Sequence, residues 1–333
     1  MRFQIGFFLL LCQLHASVEI TDSVIPLMKE VNCLDHVNPR KFSKNQYNDI
    51  AKKLLGAEDP IRLVTYNMLY NIKDSDLDEC DRWPSRYPRI LQLIEWINPD
   101  ILCSQELHRD QLDDLLAFLK DKFTFIGEPN KEDGEIEGIF FRTDRFDLLN
   151  SESWLLFPDL PSSYPHILTK VVLQEKNRHV KFAIFNTHLP FFSADQREIS
   201  AQFIQQQVEI TSHAMPVFLA GDFNTFPQQR CLTSLPYYDG DYLQKILTKG
   251  VLKNCTELAL LGHVGPISTF TTDDKENNTG VAFRGKGIPG VILDHIYADP
   301  SSMILIHAIE PAKVSGHFPS DHMPVIVDFV LPS

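Results

Sequence analysis

Six short polar motifs follow apolar runs along the chain, and their side chains are of the kinds that activate water and hold a divalent cation. Each motif supplies one or two carboxylate, amide or imidazole groups. An α/β enzyme assembles a metal-assisted hydrolytic site in this way, from strand ends that are distant in sequence. The motifs are Tyr66-Asn67, Gln105-Glu106, Asn186-Thr187-His188, Gly221-Asp222-Phe223-Asn224, Leu293-Asp294-His295 and Ser320-Asp321-His322.

Glu106 is the first candidate metal ligand, because it follows an apolar strand and has no lysine placed to balance it. Mg²⁺ takes one or two protein carboxylates and keeps several waters, which leaves room for a substrate phosphate. The amide oxygen of Asn67 is a second candidate ligand. The alternative is a solvated carboxylate at a strand end, which is the commoner situation.

Asp222 and Asn224 come directly after a buried apolar run, and Gly221 permits a tight turn that points both side chains into one opening. Asp222 is then placed to orient or deprotonate an attacking water, and Asn224 to donate to a phosphate oxygen. The alternative is an Asx pair that only stabilises a turn.

His322 is the best candidate for acid–base chemistry or phosphate binding. Its neighbour Asp321 cannot easily pair with it along a strand end, so Asp294 is the natural orienting carboxylate. A carboxylate that holds an imidazole fixes its tautomer and raises its basicity. His188 is a second imidazole, suited to stabilising charge in the transition state. For either histidine alone, the alternative is a hydrogen-bonded structural residue.

Several other groups admit two interpretations. Phe191-Phe192 and Tyr237-Tyr238 could stack on a nucleic-acid base, although such pairs more often lie in a core. The basic loop at 284–287 could grip a phosphate, but a solvated loop is the default. Surface or turn positions are predicted for His108, His179, His213 and His263, whereas His166, His295 and His317 stay undecided.

Apolar periodicity predicts the elements that must position these groups. Strands are predicted at 61–69, 101–104, 136–141, 168–174, 180–186, 216–220, 292–297 and 325–330. Helices are predicted at 87–97 and 111–119, and after a capping box at Ser193, where Ile199, Phe203 and Ile210 should face inward. Residues 228–266 are turn-rich and receive no assignment. The order predicts an α/β fold, a sandwich of two mixed sheets covered by helices with the site at one mouth.

The composition predicts a folded protein, and the N-terminal segment predicts export. The chain has 333 residues, of which 44% are apolar, so a large core is available. Residues 1–17 have the charge, apolar run and small residues of a secretory signal peptide, and no other stretch is long enough to cross a bilayer. We therefore expect a signal peptide at 1–17, a polar extension at 18–58 and a main domain at 59–333.

The net charge is −13, and losing the one arginine of residues 1–17 makes it about −14. Such a surface repels polyanions at long range, which argues against a tight sequence-independent DNA binder. It does not exclude a nuclease, because a metal-dependent site is itself acidic until its cation binds.

The cysteines and the glycosylation motifs allow only limited conclusions about covalent modification. Five cysteines follow residue 17, so at least one has no partner within the chain, and Cys103 is predicted to be a core thiol. The other four could form up to two disulfides in an exported protein, and their spacing fits no zinc site. The sequons at 254–256 and 277–279 matter only in a eukaryotic host.

The motifs, taken in order from Ile61 to Leu331, resemble the endonuclease/exonuclease/phosphatase superfamily. This group includes pancreatic-type DNases, apurinic endonucleases, deadenylases, inositol-polyphosphate phosphatases and neutral sphingomyelinases. The matching segments are Thr65-Tyr66-Asn67, 100–106, 186–189, Gly221-Asp222-Phe223-Asn224, 293–296 and 320–325. The resemblance implies a DNase I-like four-layer α/β sandwich.

The resemblance also implies a role for each matched residue. Asn67 and Glu106 would hold Mg²⁺, with Mn²⁺ as a substitute, and Asp321 would lie near a second metal position. Asp222 would align the water and Asn224 the phosphate. His188 and His322 would bind the scissile phosphate, with Asp294 orienting His322. A further acid, Glu135 or Glu137, falls where related enzymes often place one, and the sequence does not choose between them.

The resemblance implies a Mg²⁺-dependent phosphodiesterase, residues 1–17 predict that it is secreted, and we expect a monomer. The motif variants lie nearest nucleases and deadenylases, so nucleic acid or a nucleotide is the expected substrate. Exported relatives often carry an Arg-x-x-Thr-Trp-like segment where this chain has 166–170, so a phosphate contact there is in doubt. The alternatives are an extracellular sphingomyelinase or inositol-phosphate phosphoesterase, and a non-catalytic effector of the same fold.

Overall fold

Two mixed β-sheets packed face to face form the centre of the molecule. The computed structural model describes residues 59–72, 74–156, 166–225, 242–271 and 291–332. Several predicted features lie outside the described residues: the signal peptide, the extension at 18–58, Cys33, Cys231, Tyr237-Tyr238, the sequon at 277–279 and the loop at 284–287.

Within the described residues, the first sheet has seven strands. They are β1 (Ile61–Asn67), β2 (Ile101–Leu107), β3 (Phe123–Pro129), β4 (Ile136–Arg142), β10 (His263–Val264), β12 (Met303–Ile309) and β13 (Val325–Val330). Their order is β10-β12-β13-β1-β2-β4-β3. The β1–β2 and β10–β12 pairs are parallel, and the other pairs are antiparallel.

The second sheet has six strands in the part of the chain that is described. They are β5 (Phe146–Leu156), β6 (His166–Glu175), β7 (Lys181–His188), β8 (Val217–Asp222), β9 (Lys253–Asn254) and β11 (Asp294–Ala298). Their order is β5-β6-β7-β8-β11-β9, and only β7 and β8 run parallel.

Helices cover the outer face of each sheet. The five α-helices among the described residues are α1 (Trp83–Ile97), α2 (Arg109–Leu119), α3 (Ala194–Ser212), α4 (Tyr242–Leu247) and α5 (Cys255–Leu258). The α1 and α2 helices pack on the first sheet, α3 and α4 pack on the second, and a third apolar cluster fills the space between the sheets. This is the predicted four-layer α/β sandwich, which is confirmed.

Several strands place core residues and site residues on the same face, the one between the two sheets. In β7, Phe182 and Ile184 lie in the inter-sheet core, and Asn186 and His188 continue the same face. Because side chains alternate along a strand, every second residue points to the same side of the sheet. Strands β1, β4, β8 and β11 also have core residues on this face, and the same face presents Asn67, Glu137, Asp222 and Asp294 to the site.

The long helix α3 begins where predicted, because Ser193 caps it by accepting a hydrogen bond from the backbone N–H of Gln196. Of the three residues predicted to face inward, Phe203 packs against the core, whereas Ile199 and Ile210 do not, since they are 54% and 67% exposed. The buried stripe instead includes the polar residues Arg197 and Ser200. Ala201, Ile204 and Val208 complete this buried stripe.

Other elements differ from prediction in extent. Helix α1 begins at Trp83 rather than at 87, with a proline at its first turn, which is a favourable position for proline. Strands β3, β5 and β12 were not predicted; β5 is exposed along most of its length and so lacks a buried apolar pattern. No helix in the described ranges is both long enough and apolar enough to span a bilayer.

The cysteine and sequon predictions have mixed outcomes. Cys103 is fully buried in the inter-sheet core, as predicted, and Cys255 is buried in the same cluster. Asn254 of the first sequon is only 6% exposed, and its side chain accepts a hydrogen bond from the backbone N–H of Thr256. A glycan could not be attached to Asn254 without displacing it from this position.

Candidate active site

Glu106 reaches the site through a local irregularity at the end of β2. The pairing of β2 with β4 shifts between Ser104 and Leu107, and Glu106 has a φ of +59°. A non-glycine residue in the left-handed region is uncommon and concentrates at functional sites. The irregularity turns Glu106 to the Asn67 side, where its carboxylate accepts a hydrogen bond from the amide nitrogen of Asn67 at 2.8 Å.

Asn67 connects the two sheets at this point. Its amide nitrogen also lies 3.0 Å from a carboxylate oxygen of Asp222, and its amide oxygen accepts from the backbone N–H of Leu69. The amide nitrogen therefore faces the carboxylates. An ion bound to the amide oxygen would require the amide to turn over.

The buried carboxylate of Glu106 would be stabilised in its charged form by a nearby cation. The pKa of Glu106 is raised to about 7, chiefly by burial and in part by the charges of Glu135 and Asp321, which together outweigh the lowering effect of His188. Removing a carboxylate from water penalises its charged form unless positive charge compensates. The oxygen donors of this position suit a hard divalent cation such as Mg²⁺.

Gly221 is required by close packing rather than by a turn, because it lies inside β8. Its φ is +149°, and a Cβ atom there would lie 2.0 Å from the carbonyl oxygen of Thr187 in β7. The next residue, Asp222, accepts a hydrogen bond from the backbone N–H of Asn224 at 2.9 Å. This is the Asx arrangement that the sequence left open as an alternative, and it places Asp222 and Asn224 in the same opening.

Asn224 and Asp222 both face His188. The amide nitrogen of Asn224 lies 3.0 Å from Nε2 of His188 and donates to the carbonyl oxygen of Leu189 at 2.8 Å. Burial opposes the charge of Asp222, but the imidazoles of His322 and His188 outweigh it and hold the pKa of Asp222 below its ordinary value. Asp222 is therefore an anion placed between two imidazoles.

Asp294 and His322 form a hydrogen-bonded pair, as the sequence predicts. Nδ1 of His322 lies 2.8 Å from Oδ2 of Asp294, and Nε2 lies 3.7 Å from Oδ2 of Asp222. Thr269 steadies the start of β11 by accepting hydrogen bonds from the backbone N–H groups of Leu293 and Asp294. Burial alone would lower the pKa of His322, but Asp294 and Asp222 raise it well above its ordinary value.

His188 lies at the centre of the acidic groups. Its Nε2 lies 3.8 Å from Glu106 and 3.7 Å from Asp222, and its Nδ1 lies 3.6 Å from Glu135 and 4.0 Å from Glu137. Burial disfavours the imidazolium, but Glu135, Asp222 and Glu106 outweigh it and raise the pKa of His188 to about 10. His188 is therefore a cation.

Both acids between which the sequence could not choose lie beside His188. Glu135 and Glu137 share one face of the chain where β4 begins, and both are buried. Burial and the charge of Glu135 raise the pKa of Glu137 to about 8. For Glu135, burial is outweighed by His188, which lowers its pKa. Glu135 is therefore ionised and pairs with His188, whereas Glu137 holds a proton at neutral pH.

Asp321 lies at the edge of this group. Its carboxylate accepts a hydrogen bond from the hydroxyl of Ser320 at 3.2 Å, and its charge contributes to the raised pKa of Glu106. Three sets of possible ligand atoms, each within 4.8 Å of one another, occur here among the described residues. They are Glu106 with His188 and Asp222, Glu135 with Glu137 and His188, and Asp222 with Asp294 and His322.

The supporting residues were mostly missed by sequence reasoning. Gln105 donates to Asn186 at 2.7 Å and so joins the two sheets beneath the site. The buried guanidinium of Arg86 donates to the carbonyl oxygens of Met68, Leu69 and Pro319, which fixes two loops at the mouth. Gln105 belongs to one of the six motifs, but its contact with Asn186 was not predicted. The contacts of Arg86 were missed because a buried hydrogen bond to a distant carbonyl leaves no local pattern.

The loop after β7 is also held by a buried arginine. Arg197 of α3 donates to the carbonyl oxygens of Pro190 and Phe191 at 2.7 and 2.9 Å. Phe191 and Phe192 are 55% and 45% exposed, so the default placement of this pair in the core is wrong. Their rings meet edge to face, with centroids 5.4 Å apart.

The segment at 166–170 contributes no cation to the site. Lys170 pairs with Glu152 at 2.8 Å, whereas Thr169 donates to the carbonyl oxygen of Glu137. His166, undecided from sequence, is buried, and its ring packs edge to face against His188 with centroids 5.5 Å apart. Burial and the neighbouring charge of His188 lower the pKa of His166 to about 3, so this ring is neutral.

Three other histidines have structural partners. His263, predicted at the surface, is half-buried, and its Nδ1 lies 2.8 Å from Nδ1 of His307. His295 packs against the ring of Phe223, and His317 bonds to Asp81 at 3.0 Å.

Comparison with known proteins identifies relatives along most of the chain. The model of the "Endonuclease/Exonuclease/phosphatase family" matches residues 64–322. Human Nocturnin is 28% identical over 334 residues, covering 91% of this chain and 72% of its own length. Rat Nocturnin is 25% identical over an alignment of the same length.

Solved structures share the architecture. A mannosyl-6-phosphatase of Bacteroides thetaiotaomicron is 26% identical with a TM-score of 0.67, covering 81% of this chain and all of its own. TDP2 of D. rerio, complexed with a single-strand DNA product, has a TM-score of 0.61 and covers 82% of this chain and all of its own. TDP2 is 18% identical, so this likeness concerns the fold alone.

Proposed function

We propose, from the premise that this chain belongs to the endonuclease/exonuclease/phosphatase family, that it is a Mg²⁺-dependent phosphodiesterase acting on nucleic acid or a nucleotide. The chain is a hydrolase of phosphoric ester bonds, as members of this family are. The observation that carries the finer proposal is the convergence of Glu106, Asp222 and the Asp294–His322 pair at one mouth between the sheets.

The metal proposal rests on Glu106 and its surroundings. Glu106 would hold Mg²⁺ together with the amide oxygen of Asn67, once that amide turns over, and Asp321 lies on the same side of the site. Bound there, the ion would supply positive charge to a substrate phosphate oxygen. The raised pKa of Glu106 supports this assignment, because a cation would compensate the charge that burial penalises. Mn²⁺ has similar ligand preferences and should substitute.

The protonation state of each site residue indicates its role in hydrolysis. Asp222, an anion within reach of two imidazoles, is placed to orient the attacking water and accept its proton. His322, protonated and held by Asp294, and His188, protonated by its acidic neighbours, are placed to bind the scissile phosphate and stabilise its growing charge. Asn224 would donate to a phosphate oxygen through its amide nitrogen.

The substrate proposal is supported by the sequence motifs and by one surface feature. The motif variants lie nearest those of nucleases and deadenylases. Phe191 and Phe192 are exposed on a loop that is held by Arg197 and begins directly after His188. Aromatic side chains beside a phosphate-binding site stack on bases without sequence preference.

A second candidate is a phosphate ester on a sugar or lipid headgroup. The similarity to a mannosyl-6-phosphatase, at 26% identity, favours a sugar phosphate. Sphingomyelin and inositol phosphates are the alternative substrates that the sequence motifs left open. A non-catalytic role is not proposed, because the chain belongs to a family of hydrolases and keeps its charged groups assembled.

The test is hydrolysis across a substrate panel with and without Mg²⁺. The panel holds single- and double-stranded DNA, RNA, oligoadenylate, mannose 6-phosphate, sphingomyelin and inositol phosphates. We expect cleavage of a nucleic acid that is lost with EDTA and with His322→Ala, and retained in the exposed control His213→Ala. Hydrolysis restricted to the sugar or lipid substrates would reject the nuclease proposal and favour the second candidate.

We also propose that the protein is exported after removal of residues 1–17. Secretion from a eukaryotic or bacterial host followed by N-terminal sequencing tests this. Retention of residues 1–17 on a cell-associated product would contradict it.

A further inference from the structure

The segment 268–271 lies against His322. The backbone carbonyl oxygen of Thr269 accepts a hydrogen bond from the N–H of Met323 at 2.6 Å. The next residue, Phe270, forms an antiparallel backbone bridge with His322, and the two rings meet edge to face with centroids 5.1 Å apart. The segment therefore fixes the backbone that carries the imidazole of His322.

The side chain of Thr269 lies against Asp294, the carboxylate partner of His322. Thr269 is fully buried, and its Oγ1 accepts hydrogen bonds from the backbone N–H groups of Leu293 at 2.8 Å and Asp294 at 3.2 Å. A threonine hydroxyl offers two acceptor positions and one proton. Both acceptor positions are therefore occupied, and the proton is left for an acceptor nearby.

One carboxylate oxygen of Asp294 is available for that proton. Oδ2 of Asp294 pairs with Nδ1 of His322 at 2.8 Å, whereas Oδ1 is buried and meets no partner at hydrogen-bonding geometry. Burial raises the pKa of Asp294 to about 6, against the effects of His322 and of the Thr269 hydroxyl, which both lower it. A hydroxyl lowers the pKa of a carboxyl group when it donates to the charged form.

We propose that Thr269 is a positioning residue for the reaction, whose hydroxyl donates to the carboxylate of Asp294 while its carbonyl group holds the backbone beside His322. Because Thr269 is fully buried, it acts through this pair. One residue thus fixes both members, so the carboxylate and the imidazole keep a single relative orientation. The catalytic use of the pair rests on the proposed function, whereas the hydrogen bond itself does not.

Steady-state kinetics of three variants tests this role. Thr269→Val keeps the shape of the side chain but removes the hydroxyl, and it should lower kcat by about 10–100-fold. Thr269→Ser keeps the hydroxyl and should recover most of that loss. The control Thr248→Val removes a hydroxyl that donates to the carbonyl oxygen of Gln244 in α4, and it should behave as the wild type does. A serine variant as impaired as the valine variant would contradict the proposal.

A double-mutant cycle separates this role from simple support of β11. Asp294→Ala removes the carboxylate but keeps the backbone N–H groups that bind Thr269. In that background, Thr269→Val should therefore cause no further loss of kcat. The same fold loss as in the wild-type background would show that Thr269 only holds the backbone, and the proposal would be wrong.

A spectroscopic measurement addresses the hydrogen bond without any substrate. Proton NMR of the full chain should show the proton between His322 and Asp294 as a downfield resonance, identified by its absence in Asp294→Ala. In Thr269→Val the resonance should shift or be lost to exchange with water, and in Thr269→Ser it should return to its wild-type position. An unchanged resonance in Thr269→Val would overturn the proposal. A resonance that responds in this way, with no substrate of the panel cleaved, would support the hydrogen bond while contradicting the proposed function.

Discussion

Nδ1 of His322 lies 2.8 Å from Oδ2 of Asp294, and this buried pair joins the two sheets of the sandwich. Asp294 begins β11 of the second sheet, whereas His322 precedes β13 of the first. The pair leaves Nε2 of His322 directed towards Asp222. An imidazole fixed in this way presents one defined nitrogen to the substrate.

Asp294→Asn should lower kcat by about 10²–10⁴-fold, because the imidazole loses both its orientation and the charge that keeps it protonated. KM should rise as well, because a neutral and unoriented His322 binds the scissile phosphate less well. Steady-state kinetics on the preferred substrate measures this, with the exposed ion-pair variant Asp144→Asn as the control. A kcat within a few-fold of the wild type would show that His322 does not need Asp294.

The affinity for Mg²⁺ should fall as the pH is lowered through about 7. The pKa of Glu106 is raised to about 7 in the metal-free protein, so below that pH a proton occupies the carboxylate that the ion needs. We expect about a tenfold loss of affinity per pH unit below 7 and a plateau well above it. Calorimetric titration between pH 5.5 and 8.5 checks the trend, and a flat profile would contradict Glu106 as the ligand.

Gly221→Ala should destabilise the protein by roughly 3–5 kcal/mol, because its Cβ would lie 2.0 Å from a backbone oxygen of β7. Gly262→Ala is the matched control, since Gly262 has a φ of +80° but nothing within 4 Å of an added Cβ. It should cost about 1 kcal/mol from backbone conformation alone. Urea unfolding of both variants separates the two effects, and equal losses would refute the packing argument.

Glu310→Gln should stabilise the protein at pH 8 and have little effect at pH 5. Burial raises the pKa of Glu310 from 4.5 to about 7, so the folded state holds a proton that the unfolded state releases. The contribution of Glu310 to stability is therefore greatest below pH 4.5 and is lost as the pH rises through about 7. The uncharged variant escapes this penalty, which is on the order of 2–3 kcal/mol.

Thermal unfolding at both pH values tests the Glu310 prediction, and activity should not change because Glu310 lies outside the site. The same gain at pH 5 as at pH 8 would show that improved packing, rather than ionisation, explains it.

The sequence predicted the core strands of the site because each carries its apolar alternation directly into a polar motif. In β8, Phe218 and Ala220 face the inter-sheet core, and Asp222 continues the same face. Glu106 breaks this pattern, since it reaches the site only through a positive φ that no periodicity reveals. The Asp294–His322 pairing could be predicted because the neighbouring acid was unsuitable on geometric grounds.

Other features could not be derived from one chain segment at a time. Arg197 is a buried residue of α3, yet it reads as a surface charge, because the carbonyl groups that bind it belong to a loop. The choice between Glu135 and Glu137 was open because both share the face that leads to His188. The edge strand β5 escaped detection since most of its side chains are exposed on both faces.

The pairing of β1 with β13 also determines how much of the chain must be synthesised before the active site can form. Asn67 follows β1, the first strand of the described fold, while His322 immediately precedes β13, the last. A nascent chain therefore cannot hold both halves of the site in place until its final strand has left the ribosome and paired with its first. Hydrolysis of a phosphate ester therefore begins only after β13 has been synthesised and has paired with β1.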